Sequence, residues 1–211
     1  MNVLVLGATG GTGREIVQQA TAAGHRVTAL VRGREEGERA LPGTSLAVGD
    51  ARDEGALRRA LDGQDAVASA LGSSMSGPFK RVTLFSDATR ALLAAMQAEG
   101  VRRLVCITGI GAGDSRGHGG FLYDRLVQPL LLRGVYRDKN RQEALIRASG
   151  LNWVIVRPTL LRDGPATGRV RALTDLRGFH GGKVTRADVA AFVVAQLTTD
   201  QWLRRAPLVT G

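Results

Sequence analysis

The first thirty-two residues constrain this chain more than any other stretch. An apolar run, Val3-Leu4-Val5-Leu6, ends at Gly7, and Gly7-Ala8-Thr9-Gly10-Gly11-Thr12-Gly13 leads into a helix-like stretch from Arg14 to Ala23. A second apolar run, Arg26 to Val31, then ends on Arg32. Strands buried in a parallel sheet read as short unbroken apolar runs. Strand, glycine-rich turn, helix and strand therefore spell the opening of a dinucleotide-binding unit. One glycine allows the tight turn out of the strand, one lets backbone N–H groups approach a pyrophosphate, and one lets the helix pack close to the sheet. The helix N-terminus, with its free N–H groups and positive dipole end, then faces the phosphates. The spacing is Gly7-x-x-Gly10-x-x-Gly13 rather than G-x-G-x-x-G, and the chain has 28 glycines. An ordinary structural turn is thus the competing reading, and the position between strand and helix is what speaks against it.

Length and composition fit one domain over residues 1–211: with 44% hydrophobic residues the chain can bury a full core. The first strand begins at residue 2 and no apolar run approaches the roughly 18 residues that span a bilayer, so the expectation is a cytoplasmic protein with no membrane partner. Cys106, the only cysteine, sits in an apolar run and reads as a buried packing thiol. Net charge is +10, carried by arginines spread along the chain without a basic stripe interleaved with aromatics. That pattern does not point to nucleic acid. It suits a positive cleft that draws in a polyanionic cofactor.

The remaining elements follow in order. Arg32 and Arg34 stand at the end of the second strand, where a carboxylate would favour NAD(H) and an arginine pairs with the 2′-phosphate of NADP(H). NADP(H) is accordingly preferred over NAD(H), against the alternative of solvated loop arginines. Residues 33–44 read as a connection with at most a short helical turn. Ser45 to Val48 is the third strand and Glu54 to Leu61 a helix for which Asp53 is a candidate N-cap. Asp65 to Leu71 is the fourth strand. Ala70, Leu71, Gly72 and Ser73, leaving its carboxyl end, should line the middle of the cofactor. A helix over Arg81 to Glu99 carries an apolar stripe, and the strand Arg103 to Ile107 delivers Thr108 and Gly109 to the nicotinamide region.

Gly109 to Gly120 reads as a mobile loop, and Phe121 to Leu132 as a helix over the substrate mouth, an oligomer contact or further core. A helix from Tyr136 to Ser149 precedes a strand over Trp153 to Val156 and the turn with Pro158, Thr159 and Leu160, assigned to the cofactor site. Residues 158–186 suit a small substrate-side lid. Thr185-Arg186-Ala187-Asp188 resembles a capping box opening the helix Val189 to Leu197, and Ala206 to Thr210 suits a last edge strand. The fold class is α/β, a Rossmann-type doubly wound parallel sheet of order 3-2-1-4-5-6 with room for an added strand.

The run Gly7 to Val17 resembles the opening of the atypical short-chain dehydrogenase/reductases, in particular the NAD(P)H-binding group of NmrA-like and biliverdin reductase B or flavin reductase type. Val48-Gly49-Asp50, Gly63 to Val67, Gly100 to Val105 and Ala148 to Pro158 extend the resemblance over nearly the whole chain. It implies cofactor contacts from Gly7, Thr9, Gly10, Gly11, Thr12 and Gly13. It also implies that Asp50 and the backbone of Ala51 bracket the adenine edge, although Asp50 could equally serve a turn. Standard relatives carry a Ser, and a Tyr four residues before a Lys. Lys139 matches that lysine, but Val135 stands four before it, Tyr136 three before it, and the serine position reads Thr108-Gly109.

Thr108, Lys139 and Tyr136 are therefore the candidate catalytic residues: Lys139 on the ribose hydroxyls, Thr108 orienting substrate or cofactor, Tyr136 an optional proton donor. Lys139 could instead pair with Glu143, and His118 is a further candidate donor. The incomplete triad fits a reductase that passes hydride to a small acceptor of flavin, quinone, tetrapyrrole or carbonyl type and needs little acid catalysis. The alternatives are a non-catalytic NAD(P)H sensor and an epimerase or dehydratase. No metal-ligand spacing occurs, and the expected state is a monomer or homodimer.

Overall fold

The computed structural model describes residues 1–72 and 82–211. Its first half alternates strand and helix: β1 (Asn2–Leu6), α1 (Gly11–Ala22), β2 (Arg26–Val31), α2 (Arg34–Ala40), β3 (Ser45–Val48), α3 (Glu54–Leu61), β4 (Ala66–Ser69), α4 (Leu84–Ala98) and β5 (Arg103–Ile107). A π-helical turn, Tyr123–Val127, then runs into α5 (Gln128–Leu130) and α6 (Arg133–Ala148). Next come β6 (Asn152–Pro158), β7 (Leu160–Arg162), β8 (Arg171–Leu173), β9 (Lys183–Thr185), α7 (Arg186–Ala195) and β10 (Leu208–Thr210).

The main sheet runs β3-β2-β1-β4-β5-β6-β10-β8. All its pairings are parallel except that of β10 with β8. The expected 3-2-1-4-5-6 order is present, extended by two strands. Period-two alternation explains the double layer. Val3 and Val5 of β1 pack with Ile16 and Val17 of α1 and Val189 and Val193 of α7 on one face. Leu4 and Leu6 pack with Leu57, Leu92 and Met96 of α3 and α4 on the other.

Three details depart from the sequence expectation. The 33–44 connection holds a two-turn helix, because Glu35 and Glu36 complement its N-terminus, Arg39 its C-terminus, and buried Gly37 lets it lie on Val31 and Leu46. β10 is not an edge strand: it pairs with β6 on one side and β8 on the other. The stretch 158–186, expected to be a small lid, contributes a strand to the main sheet as well: β7 pairs with β9, and β8 joins β10. Asp188 secures it. Beyond capping α7 through Thr185, its carboxylate accepts from the Thr167 and Gly168 amides and the Thr167 hydroxyl.

The Asp53 N-cap is formed, with its carboxylate accepting from the amides of Gly55 and Ala56. The beginning of the expected Arg81 helix and Ser73 lie outside the described residues. Described helix α4 starts at Leu84, and its first turn is capped from α6: buried Asp138 accepts from the amides of Phe85 and Ser86 and from the Ser86 hydroxyl. No helix among the described residues is long and apolar enough to cross a membrane.

Candidate cofactor and substrate cleft

A cleft of about 1500 Å³ opens at the carboxyl ends of β1 to β6, the place where open α/β sheets take ligands. Drug-sized ligands occupy pockets of roughly 300–1,000 Å³, so the cleft has room for an extended molecule beside a second, smaller one. At its centre lies the glycine-rich turn. Gly7 has φ +72, a conformation costly to other residues, and a Cβ there would lie 2.5 Å from the Ala70 carbonyl oxygen. A Cβ on Gly13 would lie 2.1 Å from the carbonyl oxygen of Gly7, so Gly13 is what lets α1 press onto the turn. Gly10 is the N-cap of α1 and has no side chain to offer as a cap. The first amides of α1 consequently take no partner among the described residues and are available to an anion. Gly7, Thr9, Gly10, Gly11 and Thr12 line the cleft, while Gly13 is buried beneath them.

Beyond β2 and β3 the wall is charged, formed by Arg32, Glu36, Asp50, Ala51 and Arg52. Arg32 is exposed and has no ion-pair partner among the described residues. Arg34, expected beside the 2′-phosphate, stands away from the cleft. It begins α2 and pairs with Glu38 on the same helix at 3.9 Å. Asp50 serves a turn at the rim of the cleft. It accepts from the Arg52 amide and, through both carboxylate oxygens, from the Arg52 guanidinium. Those bonds hold its pKa down to about 2.

Ala70, Leu71 and Gly72 form the floor, leading to Thr108 and Gly109 after β5 and to Pro158, Thr159 and Leu160 after β6. Lys139 reaches this end from α6. Its Nζ donates to the Thr108 carbonyl oxygen at 2.6 Å and lies 4.5 Å from the centre of the Phe85 ring. Burial lowers its pKa to about 8. The Lys139–Glu143 pairing considered from sequence does not form as a direct contact. Glu143, itself buried, instead takes two bonds from the Arg157 guanidinium, at 3.0 and 2.6 Å, and one from the Thr108 hydroxyl at 2.8 Å. Since that hydroxyl donates its single proton to Glu143, Thr108 has only lone pairs to offer a ligand.

Tyr136 lines the cleft with its hydroxyl 2.7 Å from that of Tyr123, on the π-helical turn. Burial pushes both phenols above their ordinary pKa. His118, a candidate donor from its place in the sequence, is engaged elsewhere. Its Nδ1 contacts the Phe179 carbonyl oxygen at 2.9 Å, its ring stacks on His180, and it does not line the cleft. The loop before it is tied down: the Gly111 amide bonds to the Ser115 hydroxyl, Gln128 to the Gly111 carbonyl, and the Gly113 amide to Asn140. The helical stretch after it faces two ways. Tyr123 and Leu132 line the cleft, whereas Phe121, Leu122, Leu126, Leu130 and Leu131 are exposed.

Tyr123, Arg52, Arg186 and the Glu143–Arg157 pair were not singled out from the sequence. Arg52 had a signal, an arginine two residues past Asp50, and the others depend on contacts between distant elements. Among the described residues no cluster of His, Cys, Asp and Glu could hold a metal ion.

This is the architecture of a nicotinamide-dinucleotide domain, and the glycine cradle and open helix N-terminus fit such a cofactor. The model of the NAD(P)H-binding family matches residues 7–200, and the chain belongs to that family. It is 31% identical to a Bacillus subtilis protein described as the uncharacterized sugar epimerase YhfK, over 98% of this chain and 92% of the relative. It is also 29% identical to the NAD(P)H azoreductase of Xenophilus azovorans, over 99% of this chain and 68% of the relative. Among solved structures, the anaerobilin reductase ChuY from Escherichia coli O157:H7 superposes with a TM-score of 0.83 at 24% identity, over 100% of this chain and 97% of that one. That likeness is one of fold.

Proposed function

We propose that the chain is a cytoplasmic NADPH-dependent reductase of the atypical short-chain type, acting on a small acceptor of flavin, quinone, tetrapyrrole or carbonyl class. The observation that carries this reading is the state of the proton donors at the Lys139 end of the cleft. Val135 holds the place of the family tyrosine, the Thr108 proton is committed to Glu143, and the Tyr136 hydroxyl is tied to Tyr123. Such a site suits an acceptor that needs orientation and a shielded pocket more than strong acid catalysis. Two of the relatives bear reductase names, the azoreductase and a Streptomyces griseus reductase of an alkanoyl-dihydrofuranyl methyl phosphate, 29% identical over 99% of this chain.

In this reading the amides of Gly11, Thr12 and Gly13 bind the diphosphate, Arg32 the 2′-phosphate, and Lys139 the ribose hydroxyls. Asp50 and Ala51 border the adenine, Ala70 to Gly72 line the middle of the cofactor, and Gly109 and Pro158 to Leu160 wall the nicotinamide half. NADPH, when bound, supplies the hydride. The residues around it orient the acceptor, and residues 158–186 close over it from the substrate side. The proton that completes the reduction enters from solvent past Tyr123 and Tyr136.

Steady-state NADPH oxidation against a panel of flavins, quinones, azo dyes and carbonyls tests the activity. Turnover with at least one class is expected. Tight NADPH binding with no turnover on any acceptor would replace the reductase by a sensor. The name of the B. subtilis relative favours one further reading, an epimerase, which would convert a sugar nucleotide with no net NADPH consumption. For cofactor choice, NADPH should bind more tightly than NADH, and Arg32→Ala should abolish most of that difference; equal affinities in the wild type would sink the preference.

A further inference from the structure

The proposed diphosphate site contains backbone amides only, and a side chain stands directly against it. Arg186, the first residue of α7, lies across the first turn of α1: a Cβ built on Gly11 would fall 2.8 Å from both Cδ and Nε of Arg186. Helices α1 and α7 lie side by side, sharing the core of Ile16, Val17, Val189 and Val193, so this approach is fixed by packing rather than by a loose surface arm. Arg186 lines the cleft together with Gly10, Gly11 and Thr12. Its one ion pair among the described residues runs from Nη1 to Asp163 at 2.7 Å, and that carboxylate is 93% exposed. Nε and Nη2 have no hydrogen-bond partner among the described residues.

We infer that Arg186 is the side-chain half of the diphosphate site, closing over the phosphates from the side opposite the α1 amides. This rests on the reading of the cleft as a dinucleotide site. A guanidinium keeps its charge at any working pH, and its planar fork of donors matches phosphate oxygens better than an ammonium does. The free amides of α1 supply bonds but only partial charge, so a full positive charge at the same point answers the diphosphate more completely. Asp163 engages the guanidinium through one nitrogen only, while the packing of α7 on α1 keeps it over Gly11. The close contact with Gly11 also gives that glycine a task that turn geometry alone does not: any side chain there would push Arg186 away. Because the diphosphate is common to both dinucleotides, Arg186 serves affinity without selecting between them, whereas Arg32 selects.

The test is equilibrium binding of NADPH, NADH and ADP-ribose by calorimetry to the wild type and to Arg186→Gln, Arg186→Lys, Gly11→Ala and Asp163→Asn. Arg186→Gln is expected to weaken all three ligands by the same factor, roughly tenfold or more for a lost charge-assisted bond, with Arg186→Lys in between. Gly11→Ala, which displaces Arg186 while leaving the α1 amides, should also weaken all three. Asp163→Asn should leave the affinities within about threefold or tighten them, since it removes a carboxylate that competes with phosphate for the same guanidinium. Thermal melts show whether each variant is folded at the binding temperature, and Arg186→Lys keeps the test open if the glutamine variant is not. Unchanged affinities in Arg186→Gln overturn the inference. So does equal weakening by Arg186→Gln and Asp163→Asn, which would make the ion pair a loop brace. If the wild type itself binds none of the ligands, it is the dinucleotide reading that fails.

Discussion

Lys139 is held where a charge is costly, and its geometry gives that cost a direction. Its pKa falls to about 8 because burial disfavours the ammonium. The folded-state value lies below the unfolded one near 10.4, so the buried charge destabilises the fold at neutral pH, and this penalty fades as pH rises from about 8. Lys139→Met should therefore be stabilised relative to wild type at pH 7, with the gap narrowing by pH 9; a gap in melting temperature that widens with pH contradicts the assignment. If the ammonium binds the ribose, kcat/KM should fall about tenfold per pH unit above pH 8 in the wild type, and Lys139→Met should lose that limb. A second residue-scale consequence concerns Glu143, which holds Arg157 and Thr108 together. Glu143→Ala leaves a buried guanidinium with only the exposed Asp114 and should cost about 3 kcal/mol in urea unfolding, whereas Glu143→Gln, which keeps an acceptor, should cost less.

At the scale of elements, the β1–α1 junction depends on a contact no larger side chain can make. Gly13→Ala places a methyl 2.1 Å from the Gly7 carbonyl oxygen, a backbone atom that cannot swing aside, so α1 must lift from the turn. A loss of about 1–3 kcal/mol is expected, together with loss of dinucleotide binding even at temperatures where the variant is folded. Calorimetry and a thermal melt on the same sample check both halves. This junction was legible in the sequence because its logic is local: apolar run, glycines at fixed spacing and helix follow one another in the chain. The cleft residues at strand ends were legible for the same reason, since the carboxyl end of a parallel strand is a place that sequence alone can number. Arg34 was misplaced because a seven-residue helix, started by Gly33, turns it toward Glu38. Thr108 was found but not its proton, which goes to a carboxylate 35 residues away. Arg186 and Tyr123 reach the cleft from elements whose position depends on packing of the whole sheet, and nothing in their neighbours announces it. β10 passed for an edge because its second partner, β8, is only three residues long and lies in a glycine-spaced stretch.

The charge of the whole molecule bears on how a ligand arrives. The chain carries a net +10, and the cleft walls among the described residues hold Arg32, Arg52, Arg186, Lys139 and Lys183 against Glu36 and Asp50. Positive walls in a concave, partly desolvated site focus the field and raise the local concentration of an anion, an effect that salt screens over about 10 Å at 0.1 M. NADPH carries one phosphate more than NADH, placed in this reading against Arg32. Raising KCl from about 0.05 to about 0.5 M should then weaken NADPH by about tenfold and NADH by clearly less, mostly through slower association. Stopped-flow binding of both cofactors across that range measures it directly. In Arg32→Ala the two salt dependences should converge, because the extra phosphate no longer has a cation beside it. Arg186→Gln should flatten both curves by a similar amount, since the diphosphate is common to the two. Salt curves for NADPH and NADH that coincide in the wild type would mean that the 2′-phosphate lies away from Arg32, and the basis for preferring NADPH would go with it.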